Sequence, residues 1–185
     1  MRPLVLGIDA GFQAMGLVVV DVQTREVVHA LAVRTERTAT KRGIRVADDD
    51  AERCKLLAGS LAAVVRGWRP YGAVVELPNG GAQGARANRA MGMATGIVAS
   101  VLYVLDMPTE WVTPSEVKKA ATGRKDAAKE DVQREVLRQF AWRDGVWPRH
   151  RWEQEHVADA AAAVLAAQGG TLLRMVERMV KEGVA

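Results

Sequence analysis

The segment Leu4-Val5-Leu6-Gly7-Ile8-Asp9 is an apolar run that ends on a carboxylate. A continuous apolar run predicts a strand buried on both faces of a sheet. A second segment, Ala73-Val74-Val75-Glu76, has the same form, because it is short, apolar and ends on an acid. A carboxylate that ends a buried strand is costly unless it is paired or holds a cation. Asp9 and Glu76 are therefore the first candidates for a functional site.

Around these segments the spacing of apolar and turn residues predicts strands and helices in alternation. Three strands are expected in succession, at 4–9, 16–22 and 26–33. The later predicted elements are helix 51–67 after a possible cap at Asp48-Asp49-Asp50, strand 73–76, helix 85–105, strand 109–112, helices 114–121 and 127–140, an irregular segment 141–154, helix 155–167 and a C-terminal helix at about 171–182. This order predicts one α/β domain over 1–185, with a mixed sheet flanked by helices: a three-strand meander plus parallel strands.

Composition limits the class of protein. The 185 residues carry a net charge of +4, which is compatible with a polyanionic partner. The single cysteine, Cys54, excludes an intrachain disulfide. No apolar run is long enough to span a bilayer, and the first strand starts too early to leave room for a signal peptide. We therefore expect no membrane partner and a cytoplasmic location, in a bacterial or phage-infected cell.

A second pair of polar residues completes the candidate site. His156 and Asp159 are spaced i, i+3 in a predicted late helix, so they share one helix face. If the first and fourth strands pair, Asp9 and Glu76 lie side by side, and all four side chains can converge. Three carboxylates and one imidazole suit two hard divalent ions, with room for phosphate oxygens. Two-metal sites of this kind cleave phosphodiesters.

At this point the residues resemble a known family, the RuvC-type Holliday-junction resolvases of the RNase H-like superfamily. The resemblance follows the chain in order and covers nearly all of it. Its motifs are Gly7-Ile8-Asp9-Ala10-Gly11, Val74-Val75-Glu76, Val117-Lys118-Lys119 with Lys129, and His156-Val157-Ala158-Asp159-Ala160-Ala161. Each motif is weak alone, whereas the ordered set is fairly specific.

The resemblance implies an RNase H-like fold, a homodimer and symmetric nicking of four-way DNA junctions. It implies that Asp9, Glu76, His156 and Asp159 are the ligands of two Mg²⁺ ions, with Mn²⁺ tolerated. It also implies that Lys118 and Lys129 contact phosphate and neutralise its developing charge. The stretch from Lys118 to Lys129 contains one acid, Asp126, and is expected to form a phosphate-binding edge.

One feature departs from the family pattern. Cellular members often carry an aromatic residue in the loop after the strand glutamate, where it stacks at the junction centre. The corresponding loop here, Leu77-Pro78-Asn79-Gly80-Gly81-Ala82-Gln83-Gly84, has no aromatic residue. We therefore expect broader selectivity that includes forks and flaps, as in phage-encoded relatives. The resemblance covers the Trp-rich and Arg-rich segment 142–152 and the C-terminal helix poorly.

Simpler interpretations exist for each of these residues. Asp9 could cap a turn, Glu76 could be a solvated loop acid, and His156 could lie on an ordinary helix face. Lys118 and Lys129 could be solvated. The tryptophans of the 142–152 segment, Trp142, Trp147 and Trp152, could be core or dimer contacts, or could stack on unpaired bases. Only the joint occurrence of the four candidate ligands makes the simple interpretations unattractive.

Two other functions compete with nuclease activity. A basic dimer could bind branched DNA without cutting it, although three carboxylates facing phosphate would then repel the DNA. The Gly7-Ile8-Asp9-Ala10-Gly11 segment also resembles the first phosphate loop of the actin, Hsp70 and sugar-kinase superfamily. That phosphotransferase fold needs two such domains, and the chain is too short for them.

Overall fold

The computed structural model describes residues 2–38, 43–77 and 84–183. Its strands are β1 (Leu4–Asp9), β2 (Ala14–Asp21), β3 (Glu26–Arg34), β4 (Gly72–Glu76), β5 (Thr109–Val112) and β6 (Ala141–Trp142). Its helices are α1 (Val46–Trp68), α2 (Ala85–Val104), α3 (Pro114–Thr122), α4 (Lys129–Gln139), α5 (Arg151–Ala166) and α6 (Thr171–Lys181). In this part of the chain no helix has the length and apolar character needed to cross a membrane.

The strands form one mixed sheet in the order β5-β4-β1-β2-β3-β6. β1, β2 and β3 pair antiparallel as a meander, whereas β4 pairs parallel with β1, and β5 pairs parallel with β4. The predicted fold class, a meander plus parallel strands with flanking helices, is confirmed.

Two apolar clusters cover the two faces of the sheet, because side chains alternate along each strand. In β1, Leu6 and Ile8 contribute to the cluster with α1 and α2, while Val5 contributes to the cluster with α3, α4, α5 and α6. Both faces are therefore buried, which explains why β1 and β4 are continuous apolar runs.

The central helix α5 lies unusually close to the sheet, and two glycines permit that approach. A Cβ added at Gly7 would lie 2.2 Å from the carbonyl oxygen of Ala160, and one added at Gly16 would lie 2.1 Å from that of His156. The contact at His156 places the start of α5 directly over the C-terminal end of β1. The alanine-rich surface of α5 serves the same close packing, since Ala160 and Ala161 are fully buried.

Three local predictions were wrong. α1 begins at Val46 with Arg45 as its N-cap, so the Asp48-Asp49-Asp50 segment lies inside the helix and does not cap it. The segment expected to be irregular contains β6, which pairs parallel with β3 and is held there by an ion pair between Arg143 and Glu26 at 3.1 Å. α5 begins at Arg151, four residues earlier than expected, with a capping box between His150 and Glu153.

A test of the close packing is to replace Gly16 with alanine. Because the new Cβ would overlap the His156 carbonyl, we expect Gly16→Ala to lower the free energy of unfolding by roughly 1–3 kcal/mol or more. Gly59→Ala is the matched control, since nothing lies within 4 Å of a Cβ there. An alanine within α1 should raise stability by roughly 0.5–1 kcal/mol. Urea unfolding measures both, and equal stabilities of the two variants would contradict the packing account.

Candidate metal-binding active site

Asp9 and Glu76 lie next to each other at one edge of the sheet. β1 and β4 run parallel, and their register pairs Asp9 directly with Glu76. The carboxyl ends of parallel strands meet at the same sheet edge, which is where α/β folds commonly bind ligands. Both side chains are half-buried because the helices on the two faces extend over this edge.

α5 brings His156 and Asp159 to the same place. The Nδ1 atom of His156 lies 2.7 Å from Oδ2 of Asp9, within hydrogen-bonding distance. Asp159 follows one helical turn later and forms an ion pair with Lys129, in which Nζ of Lys129 lies 3.5 Å from Oδ2 of Asp159. The structure therefore brings together the two strand acids and the two helix residues that the sequence singled out.

Burial and mutual repulsion govern the charges of this cluster. The pKa of Glu76 is raised to about 8. Burial is the main cause, and the negative charges of Asp9 and Asp159 add to it. Burial likewise raises the pKa of Asp159 to about 6, with Asp9 contributing and Lys129 opposing. The hydrogen bond to Asp9 raises the pKa of His156, although burial of the ring opposes the shift. Full ionisation of the three carboxylates would therefore place more negative charge in the cluster than its surroundings can neutralise.

The two lysines lie close enough to act on this charge. Asp159 raises the pKa of Lys129, which remains a cation at the rim of the site. The positive charge of Lys118, on α3, acts on the Glu76 carboxyl and opposes the rise in its pKa. Of the other cations in this stretch, Arg124 is engaged with Asp126 at 3.2 Å.

The donor chemistry fits hard divalent cations. Carboxylate oxygens are the ligands that Mg²⁺ prefers, and an imidazole nitrogen is compatible with Mn²⁺. Within residues 2–38, 43–77 and 84–183, no group of three or more His, Cys, Asp or Glu side chains is gathered closely enough to hold an ion as it stands. His156 is turned toward Asp9 and Lys129 toward Asp159, so an ion bound among these side chains would take the place of these two contacts.

A cleft of about 590 Å³ opens in front of these residues. Besides Asp9, Glu76 and His156, its lining includes Phe12, Gln13, Arg34, Met91 and Trp152. Asp9 and Glu76 therefore lie on the wall of this cleft. Residues 78–83 of the loop without an aromatic residue lie outside the described part of the chain, as do Lys41 and Arg42 of the basic stretch.

A buried ionic cluster beside the site escaped the sequence analysis. The carboxylate of Asp50 pairs with Arg53, at 3.3 Å, and with Arg89 of α2. Arg53 also donates to the hydroxyl of Thr35, at 3.0 Å, and stacks over the Phe12 ring, 4.2 Å from its centroid. This cluster ties α1 and α2 to the β1–β2 turn that follows Asp9. The i, i+3 spacing of Asp50 and Arg53 was an available signal, but Asp48, Asp49 and Asp50 look alike in the sequence.

The raised pKa of Glu76 predicts a pH-dependent cost. In EDTA, the native state retains a proton on Glu76 up to pH of about 8, whereas the unfolded chain loses it near 4.5. Wild-type stability therefore falls between these pH values. Glu76→Gln removes this loss, so the difference in Tm between variant and wild type should shift in favour of the variant as pH rises from 4.5 to 8.

Glu116→Gln is a control for which the Tm difference between variant and wild type should change with pH in the opposite direction. The backbone amide and hydroxyl of Thr113 lower the pKa of Glu116, so this carboxylate stabilises the protein above its unfolded pKa and loses that effect in acid. The Tm difference for Glu116→Gln should therefore shift against the variant as pH rises in the acid range up to about the unfolded value of 4.5, and stay level from there to 8. A Tm difference for Glu76→Gln that does not change with pH would contradict the burial of an unneutralised carboxylate.

Comparison with known proteins places this geometry in context. Residues 5–167 match the family model described as crossover junction endodeoxyribonuclease RuvC. The RuvC proteins of Methylobacillus flagellatus and Chromobacterium violaceum are 32% and 33% identical to the chain, over 136 and 140 residues. These alignments cover 72% and 75% of this chain, and 73% and 74% of the relatives.

Solved structures of Holliday-junction resolvases are also similar to the chain. The RuvC protein of Thermus thermophilus in complex with a Holliday junction substrate superposes with a TM-score of 0.72 at 25% identity, covering 94% of this chain and 97% of that one. The yeast mitochondrial Holliday junction resolvase Ydc2 has a TM-score of 0.63 at 13% identity, covering 96% of this chain and 83% of that one, and supports the fold alone. The chain belongs to the RuvC family of crossover junction endodeoxyribonucleases.

Proposed function

We propose that this protein is a metal-dependent endonuclease that cleaves four-way DNA junctions, and other branched DNA, by hydrolysing phosphodiesters with two divalent ions. The observation that carries the proposal is the convergence of Asp9, Glu76, His156 and Asp159 at one sheet edge, in a chain that belongs to the RuvC family. The relatives are named for cleaving crossover junctions, and the Thermus thermophilus protein was solved with a Holliday junction.

The ions are Mg²⁺, with Mn²⁺ tolerated, and the four side chains are their ligands. When bound, two such ions supply a Lewis acid for the phosphate and an activated water for the attack. Asp9 is central among the ligands, because it pairs with Glu76 in the sheet register and contacts His156. The imidazole of His156 can act as a ligand only after it gives up the proton that the hydrogen bond to Asp9 favours.

Lys129 and Lys118 hold the substrate phosphate. The ammonium group of Lys129 neutralises Asp159 in the metal-free protein and, once cations take over that role, is available to the phosphate. Lys118 extends the positive charge along the same rim. Cations placed where negative charge develops stabilise the transition state of hydrolysis.

A homodimer accounts for symmetric nicking, because two opposed strands of one junction need two active sites. α2 supports this arrangement. Its buried residues lie toward the sheet, whereas a Cβ at Gly92 or Gly96 would meet no atom within 4 Å. Tyr103 and Val104, at the end of the same helix, are neighbouring apolar side chains that are 83% and 75% exposed. A second copy covering this helix would bury them.

The competing functions explain these observations less well. A binding protein without catalytic activity has no use for three half-buried carboxylates, where burial and then mutual repulsion raise the pKa of Glu76 to about 8. In such a protein these carboxylates would lower both the stability and the affinity for DNA without contributing to function. The two-domain phosphotransferase hypothesis is set aside, because the RuvC family model accounts for residues 5–167.

The test is cleavage of labelled synthetic DNA with Mg²⁺, using a four-way junction, a fork, a flap and a linear duplex. We expect paired symmetric nicks in the junction and cuts in the fork and flap. Asp9→Asn should reduce the rate by at least about 10³-fold, because a proposed metal ligand is lost while the fold is kept. Junction binding measured in EDTA serves as the control for folding. Tight binding by the wild type without cutting in Mg²⁺ or Mn²⁺ would contradict the proposal.

A further inference from the structure

The three tryptophans of the Trp-rich and Arg-rich segment have different surroundings. Trp142 and Trp147 pack edge to face, with ring centroids 4.6 Å apart, and both contact the apolar cluster between the sheet and α3–α6. Trp152 is half-buried, stands in the first turn of α5, and lines the cleft together with Asp9, Glu76 and His156. Two of these rings are therefore packing residues, and Trp152 belongs to the wall of the active site.

Trp152 is the accessible aromatic ring of that wall, as far as the described residues show. The other aromatic carbocycle in the lining, Phe12, is only 6% exposed and lies under the guanidinium of Arg53. Trp152 and His156 are spaced i, i+4, so they share a face of α5 and stand about 5–6 Å apart at their Cβ atoms. The ring therefore shares one face of α5 and one cleft with the candidate metal ligand His156.

A cation accompanies the ring. The guanidinium carbon of Arg34, at the end of β3, lies 5.7 Å from the centroid of the Trp152 ring, and the Arg34 side chain is 57% exposed. Its ion-pair partner, Glu36, is 3.8 Å away and 79% exposed, so water weakens that pairing. The guanidinium lies over the ring as a cation–π contact, so the pair offers a flat apolar surface and a cation, which match the two parts of a nucleotide, a base and its phosphate.

We propose that Trp152 is a stacking platform for the base of a nucleotide adjacent to the scissile phosphate, with Arg34 contacting the neighbouring phosphate. The proposal rests on the proposed nuclease function and assigns a substrate-positioning role to α5 beyond its candidate metal ligands. Base stacking is tolerant of sequence, because every base offers a π-face. Recognition through Trp152 therefore favours unpaired or splayed nucleotides, which occur at branch points, over particular sequences.

The experiment combines protein variants with DNA that lacks single bases. Wild type, Trp152→Ala and Trp152→Phe are assayed on an intact junction and on junctions with one abasic site at each nucleotide flanking the cleaved phosphate. On the intact junction, Trp152→Ala should lose about 5- to 150-fold in kcat/KM, the range expected for one lost base stack. Trp152→Phe should recover most of that loss. On one of the abasic junctions, wild type and Trp152→Ala should have the same rate, because the stacking partner is absent.

Trp68→Ala is the matched control. Trp68 is another half-buried tryptophan, and its ring stacks on His29, 5.3 Å away, outside the cleft. Any effect of Trp68→Ala should be equal on intact and abasic junctions, since it acts through the fold. Full activity of Trp152→Ala on the intact junction, or the same loss on every abasic junction, would overturn the stacking role.

Binding measurements separate this proposal from the proposed function. Dissociation constants for the same set of junctions are measured in EDTA by fluorescence anisotropy, where no cleavage occurs. A loss of affinity in Trp152→Ala that disappears with one abasic site supports stacking, even if the wild type fails to cut. An affinity change that does not depend on the missing base overturns it, even if the wild type cuts as expected.

Discussion

Asp9, Glu76 and Asp159 repel one another, and their burial strengthens that repulsion because water cannot screen it. The rest of the site can be understood as ways of tolerating this repulsion without metal. Asp9 is hydrogen-bonded to the imidazole of His156, and Asp159 is paired with Lys129. Glu76 has neither a hydrogen bond nor an ion pair within the described ranges, and its pKa of about 8 means that a proton neutralises it at neutral pH. Each carboxylate therefore has its own substitute for a cation.

These substitutes also explain how the site changes when metal binds. In the proposed function, divalent ions would replace the proton at Glu76, the imidazole of His156 at Asp9 and the ammonium group of Lys129 at Asp159. Metal binding should therefore release protons, and it would free Lys129 for the phosphate of the substrate. The fold makes the exchange possible by holding the four side chains on rigid elements. The register of β1 and β4 fixes Asp9 beside Glu76, and the glycines under α5 fix the height of His156 above the sheet.

Much of this arrangement could be predicted from the sequence, because it depends on patterns of single elements. The apolar runs that end on Asp9 and Glu76 define β1 to the residue and β4 to within one residue, and parallel pairing then places the acids together. The start of α5 was missed because its N-cap, His150, is not among the usual capping residues, and the Trp-rich stretch before it lacks a helical period. Because the helix was expected to begin at residue 155, the position of Trp152 beside the candidate metal-binding residues was not predicted.

Tertiary ion pairs were also beyond prediction. The sequence gives no reason why Asp50, among three consecutive aspartates, should be the one buried. Its partner Arg89 lies 39 residues away on another helix, and only the packing of α1 against α2 brings the two together. The resulting cluster supports the turn after Asp9, so the surroundings of the candidate site depend in part on the contact between Asp50 and Arg89, which has no local signature.

The most direct test of the central claim is anomalous diffraction from crystals of the protein with Mn²⁺. The account predicts two manganese peaks about 3.5–4 Å apart. They should lie among the side chains of Asp9, Glu76, His156 and Asp159, with the His156–Asp9 and Lys129–Asp159 contacts broken. Crystals that bind Mn²⁺ elsewhere but leave these contacts intact, with no peak between the carboxylates, would contradict it.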